Sequence, residues 1–136
     1  MKKLIALWCF VVVSTCQAAD GVSLFQNGLL AFRENGPNAL LNAWYGSQDD
    51  GERIAKIRDR LAALARSLGP VIDTEVFAPR NLGPRVQRLY GVIYFEKRPL
   101  WLRAEFYDVG GRSGFISLEF SLSPEEILPI REATVP

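Results

Sequence analysis

Asp73 with Glu75, and Glu105 with Glu119, are the carboxylate pairs whose alternate spacing could bring an acid and a base to one face of a sheet. The same alternation puts Arg88 and Arg103 on that face, so an ion-pair ladder is the simpler reading. Histidine is absent, and the two cysteines are Cys9 and Cys16, close to the N-terminus. Ser-His-Asp triads, Cys-His pairs, histidine bases and the usual zinc sites therefore have no ligands or nucleophiles to draw on. Asp49-Asp50-Gly51-Glu52 lacks the ligand spacing of a calcium loop and reads as the start of a helix. Gly110-Gly111-Arg112-Ser113-Gly114 fits neither phosphate-binding glycine pattern and sits where a hairpin belongs. No catalytic residue, cofactor or metal follows from these motifs.

The elements that position these groups divide into a helical first half and a strand-rich second half, the pattern of an α+β fold. Val22 to Glu34 repeats Phe25, Leu29 and Phe32 at helical spacing, and Asn35-Gly36-Pro37 ends it. Asn38 is placed to cap a short second helix carrying Leu40, Leu41 and Trp44. Glu52 to Leu68 carries an apolar stripe of Ile54, Ile57, Leu61, Leu64 and Leu68, with a charged opposite side, and Gly69-Pro70 stops it. From Val71 the period changes to two. Strands are expected over Val71–Phe77, Arg85–Glu96, Leu100–Tyr107 and Gly114–Ser121, with a loop through Pro79 and Leu82-Gly83-Pro84. Short connections make this a four-stranded antiparallel meander with the N-terminal helices packed on one face.

Alternation then assigns the faces. Leu89, Gly91, Ile93 and Phe95, with Leu100, Leu102, Ala104 and Phe106, and Gly114, Ile116, Leu118 and Phe120, form the helix-covered core. The opposite face holds Arg88, Tyr90, Val92, Tyr94, Trp101, Arg103, Glu105 and Tyr107, joined by Phe115, Ser117 and Glu119. Tyr, Trp and Arg dominate interface energetics, so Arg88, Tyr90, Tyr94, Trp101, Arg103, Glu105 and Tyr107 form a candidate interaction face. A second copy of the chain or an envelope protein is the expected partner.

The N-terminus reads as a bacterial secretory signal. Lys2 and Lys3 precede an apolar run of about ten residues, Leu4 to Val13, too short for the roughly 20 that a membrane-spanning helix needs. Small residues follow, and cleavage between Ala18 and Ala19 gives a signal peptide over 1–18 and one α+β domain over 19–136. Val13-Ser14-Thr15-Cys16 also resembles a lipobox, the alternative in which Cys16 is acylated and anchors the chain in the envelope. Cleavage removes both cysteines and leaves no disulfide. It also removes two of sixteen basic residues against fifteen acidic ones, so the charge passes from +1 to −1. Near-neutrality of the whole chain gives no electrostatic footprint for nucleic acid or an anionic membrane. A periplasmic or secreted domain without a transmembrane segment is expected.

Ala39-Leu40-Leu41-Asn42-Ala43-Trp44-Tyr45, Leu82-Gly83, Tyr94-Phe95-Glu96 and Pro99-Leu100-Trp101 carry a resemblance to the NTF2-like and cystatin-like α+β folds. The strand that ends in Pro124 to Leu128-Pro129 is similar to small exported bacterial proteins of that architecture. Such folds host enzymes, carriers and binding modules, so the likeness fixes no function. NTF2-like isomerases place an Asp base and a Tyr donor inside the cone between helices and sheet, whereas the inward positions assigned here are apolar. A non-catalytic binding domain is the leading expectation. An NTF2-like enzyme or small-ligand carrier, and an inhibitor or immunity-type protein, are the alternatives.

Overall fold

The computed structural model describes residues 21–46 and 51–129. The signal peptide, Cys16, the Ala18–Ala19 cleavage site and Asp49-Asp50 lie outside the described residues. The chain runs α1 (Gly21–Asn35), α2 (Pro37–Tyr45), α3 (Glu52–Leu68), β1 (Val71–Val76), β2 (Arg80–Asn81), β3 (Val86–Phe95), β4 (Pro99–Asp108), β5 (Ser113–Ser121) and α4 (Pro124–Ile127). Strand order is β1-β3-β4-β5, every pairing is antiparallel, and β2 pairs with β3 beside β1. The molecule is an α+β fold of N-terminal helices and an open sheet.

Local chemistry explains each boundary. Gly36 turns the chain with φ 85°, and its N–H donates to the Phe32 carbonyl at 2.8 Å. Pro37, not Asn38, opens α2: its missing N–H costs nothing in the first turn, and no side chain caps that end. The first edge of the sheet is one strand interrupted at Ala78-Pro79. Phe77 N–H still donates to the Tyr90 carbonyl at 2.9 Å, Pro79 has no N–H to give, and β2 resumes opposite Arg88 and Gln87. The expected loop through Pro79 therefore contains a two-residue strand. At the β4–β5 hairpin, Gly110 and Gly111 both take positive φ, as a two-residue primed turn requires, and Val109 N–H donates to the Arg112 carbonyl at 3.0 Å.

The main core lies between the first two helices and the inner sheet face. Phe25 sits over Gly91, where an added Cβ would meet its ring at 2.7 Å. Phe25 stacks on Trp44 with centroids 4.9 Å apart, and Trp44 and Phe106 both meet Phe115. Trp44 also crosses α1 at Gly28 and donates its indole N–H to the Leu24 carbonyl at 3.0 Å. Of the buried described residues, none is charged, and Trp44 and Tyr90 are the only aromatic ones with a polar atom.

Two expectations about faces are corrected. Phe115 is buried and belongs to the core, whereas Ile116 is 47% exposed. The cause is a bulge: Glu105 pairs with Ser117 but Phe106 pairs with Phe115, so Ile116 is an extra residue and the alternation inverts on its far side. A like irregularity at Ile72 leaves that side chain 59% exposed on β1. Both edge strands thus carry a bulge, and that of β5 lies at Ile116, ahead of the regular stretch from Ser117 to Ser121. The second correction concerns the outer face: Tyr90 and Val92 are fully buried there, so this face is not an open aromatic surface.

Candidate functional site

The outer sheet face is a set of closed pairs. Arg88 stands opposite Glu105 in register and donates to it at 2.7 Å. That hydrogen bond raises the Arg88 guanidinium pKa against the opposing effect of burial, which keeps the group charged. Its Nε is buried with no hydrogen-bond partner among the described residues. Arg103 stands opposite Glu119, pairs with it, and gives its other nitrogen to the Ile127 carbonyl at 3.2 Å. Tyr94 donates its phenol to Glu75 at 2.7 Å, and this bond is the main cause that pushes the Tyr94 pKa up to about 12. Asp73 takes Arg33 of α1 at 3.2 Å.

Each carboxylate named as a candidate acid or base therefore has its own partner. Asp73 and Glu75 turn to different groups, as do Glu105 and Glu119. Of the candidate interaction residues, Tyr90 is buried, Trp101 is half-buried with Phe77 stacked on it at 6.1 Å, and Tyr107 stands 38% exposed at the end of β4. Arg88, Tyr94, Arg103 and Glu105 are half-buried in the pairs just described. The chain brings Arg88, Tyr90, Arg103 and Glu105 together on β3 and β4, but it pairs their charges internally, leaving Arg88 Nε aside, and covers the centre. Ion pairs that solvent reaches contribute about 0–1 kcal/mol each.

A different surface is left open. Helix α3 buries only Ile54, Leu61 and Leu68, which recur every seven residues; Ile57 and Leu64 beside them are half-buried. Between this stripe and β5 run two hollows of about 340 and 530 Å³ that share Arg60, Phe120 and Ser121, and so form one groove. Ile57, Leu64, Leu118, Phe120 and Leu122 supply apolar lining, and Ile127 closes the α4 end. Lys56, held by Glu52 at 2.8 Å, and Arg60, 4.8 Å over the Phe120 ring, form the helix rim. Among the described residues no strand pairs with the outer edge of β5, which is the edge the groove follows.

Ser121 Oγ donates to the Glu126 carboxylate and accepts from Ser123 N–H at 3.1 Å, which closes the turn into α4. Among the described residues no group of three or more acidic, histidine or cysteine side chains is placed to hold a metal ion. No described helix is long and apolar enough to cross a membrane. The sequence contained one trace of the groove: Ile57 and Leu64 lie on the apolar stripe of α3, yet a second row of basic residues flanks them. Which strand the helix faces has no signature in sequence.

Comparison with protein-family models, with curated proteins and with solved structures finds no match.

Proposed function

We propose that the chain is an exported, non-catalytic binding domain that takes an extended segment of a partner protein along the groove between α3 and β5. The observation that carries this reading is the coincidence of an apolar groove with an unpaired strand edge. An added strand gains main-chain hydrogen bonds from such an edge, while alternate side chains find pockets on either side. Here the pockets are lined by Leu64 and Phe120, and Arg60 and Lys56 stand at the rim.

Two further observations support binding over catalysis. The space between helices and sheet is filled by Phe25, Phe32, Trp44 and Phe115, and among the described residues no carboxylate is buried there. That filling disfavours the NTF2-like enzyme or carrier, which needs an open polar cone. The outer face, with its ion pairs closed and its centre buried, has less to offer a partner than the groove.

Selection of a displayed library of random peptides on the full chain tests the proposal. Enrichment of extended, β-branched and aromatic peptides is expected. Ala63→Trp, which fills the groove from an exposed position on α3, should abolish their binding, whereas Trp101→Ala on the outer face should leave it intact. Peptides that survive Ala63→Trp but are lost with Trp101→Ala would return the site to the outer face.

A further inference from the structure

One end of the sheet is built differently from the rest of the surface. Of the six exposed large hydrophobic side chains among the described residues, four lie there: Leu82 (49%), Tyr107 (38%), Val109 (37%) and Ile116 (47%). The pairing brings them together. Val86 stands opposite Tyr107, Asp108 N–H donates to the Arg85 carbonyl at 2.8 Å, and Asp108 stands opposite Ser113. The β2–β3 turn and the β4–β5 hairpin are thus neighbours, and Tyr107, Val109, Arg112 and Ile116 line one open hollow of about 830 Å³. Arg85 and Arg112 are exposed in the same turn and hairpin. The acid beside them, Asp108, accepts a hydrogen bond from Gly110 N–H at 3.0 Å. At the other end of the sheet, the β3–β4 turn exposes Glu96, Lys97 and Arg98.

The described chain also enters at this end. A Cβ added to Gly21 would lie 2.8 Å from the Phe106 ring and 2.9 Å from Gln87 Oε1, so α1 begins against the ends of β3 and β4. In the alternative in which Cys16 is acylated, that residue lies five positions before Gly21. Five residues reach at most about 18 Å even when fully extended, so the anchor would hold this end of the domain beside the bilayer.

We infer that the end formed by the β2–β3 turn and the β4–β5 hairpin docks on an anionic phospholipid surface. Tyr107, Val109, Ile116 and Leu82 enter the headgroup region, and Arg85 and Arg112 pair with lipid phosphates. Aromatic and aliphatic side chains flanked by arginines are the combination that such an interface takes up, with area and charge adding. A protein partner would use the apolar residues equally well. The arginine pair and the position of the chain entry favour the membrane. The groove of α3 and β5 lies elsewhere on the molecule, and the two surfaces stand or fall separately.

The test uses residues 19–136, the chain that cleavage leaves and one that holds no cysteine, mixed with vesicles of phosphatidylcholine with phosphatidylglycerol. An environment-sensitive fluorophore is placed at Val109→Cys or, as the control, at Lys97→Cys. Docking predicts a blue-shifted emission quenched by membrane-embedded spin labels at position 109 and a water-like emission at position 97. Each arginine contributes about fivefold to partition on such a surface, so Arg85→Ala with Arg112→Ala should lower the docked-to-undocked ratio about 25-fold. Vesicles of phosphatidylcholine alone should lower it similarly. A wet label at position 109, equal shielding at both positions, or shielding indifferent to the arginines and to the anionic lipid would each overturn the inference.

Discussion

Replacing Gly28 with alanine tests the packing that fixes the helices on the sheet. In an exposed helix the change would stabilise, because alanine is favoured over glycine by roughly 0.5–1 kcal/mol. Here the new Cβ would lie 1.9 Å from Trp44 Nε1 and 2.4 Å from its Cε2, well inside contact distance. Trp44 is 4% exposed and wedged between Phe25 and Phe115, so it cannot retreat without disturbing both. Overpacking of this kind costs about 1–3 kcal/mol. Displacing the indole also breaks its 3.0 Å bond to the Leu24 carbonyl, and a buried donor left unpaired adds about 1–3 kcal/mol. After the helix gain is offset, Gly28→Ala should destabilise by about 1–5 kcal/mol. For a domain of this size that is a fall in Tm on the order of 5–25 °C. Thermal and urea unfolding followed by circular dichroism would read it. Gly83→Ala, where nothing lies within 4 Å and φ is not positive, is the control and should shift stability by less than about 1 kcal/mol. A Gly28→Ala protein as stable as the parent, or more so, would refute the close crossing of Trp44 over α1.

The bulge at Ile116 makes opposite predictions for adjacent residues. Phe115→Ala should cost about 3–5 kcal/mol in urea unfolding, and Ile116→Ala less than about 1 kcal/mol; the reverse order would restore unbroken alternation along β5. The Tyr94 phenol, held protonated by Glu75, should titrate at about 12 by ultraviolet absorbance, and Glu75→Gln should lower that value toward the ordinary 10.0. Because the folded-state pKa is the higher one, the stabilisation from this bond is complete below about pH 10 and is lost as pH rises from there to about 12. Stability of Glu75→Gln should accordingly depend less on pH across that window.

Much of the architecture was legible because periodicity reports burial. The stripe of α3, the switch to period two at Val71 and the glycines of the β4–β5 hairpin place three of the main elements within a residue or two of their observed bounds. The misassigned residues share a physical cause. A bulge inserts one residue without any compositional mark, so Phe115 and Ile116 exchanged faces. Cover from sequence-distant segments is equally silent. Phe77 stacks on Trp101, and the Ile127 carbonyl takes an Arg103 nitrogen, so an outer face that reads as exposed aromatics and arginines is partly roofed by its own chain. Alternation put Arg88, Arg103, Glu105 and Glu119 on one face as a ladder, but which acid each arginine takes depends on strand register, which alternation does not fix. The groove depended on where α3 lies relative to β5, a tertiary fact that neither segment encodes alone.

Hydrogen exchange along β5, measured on the full chain with and without a peptide selected on it, tests the groove most directly. Binding along the open edge predicts slowed exchange at residues 118–122 of β5 and its turn, together with protection around Arg60 and Leu64 on α3. Ala63→Trp should remove both effects. Protection confined to Tyr94, Trp101 and Arg103, with residues 118–122 unchanged, would contradict a groove between α3 and β5 and place binding on the outer face of the sheet.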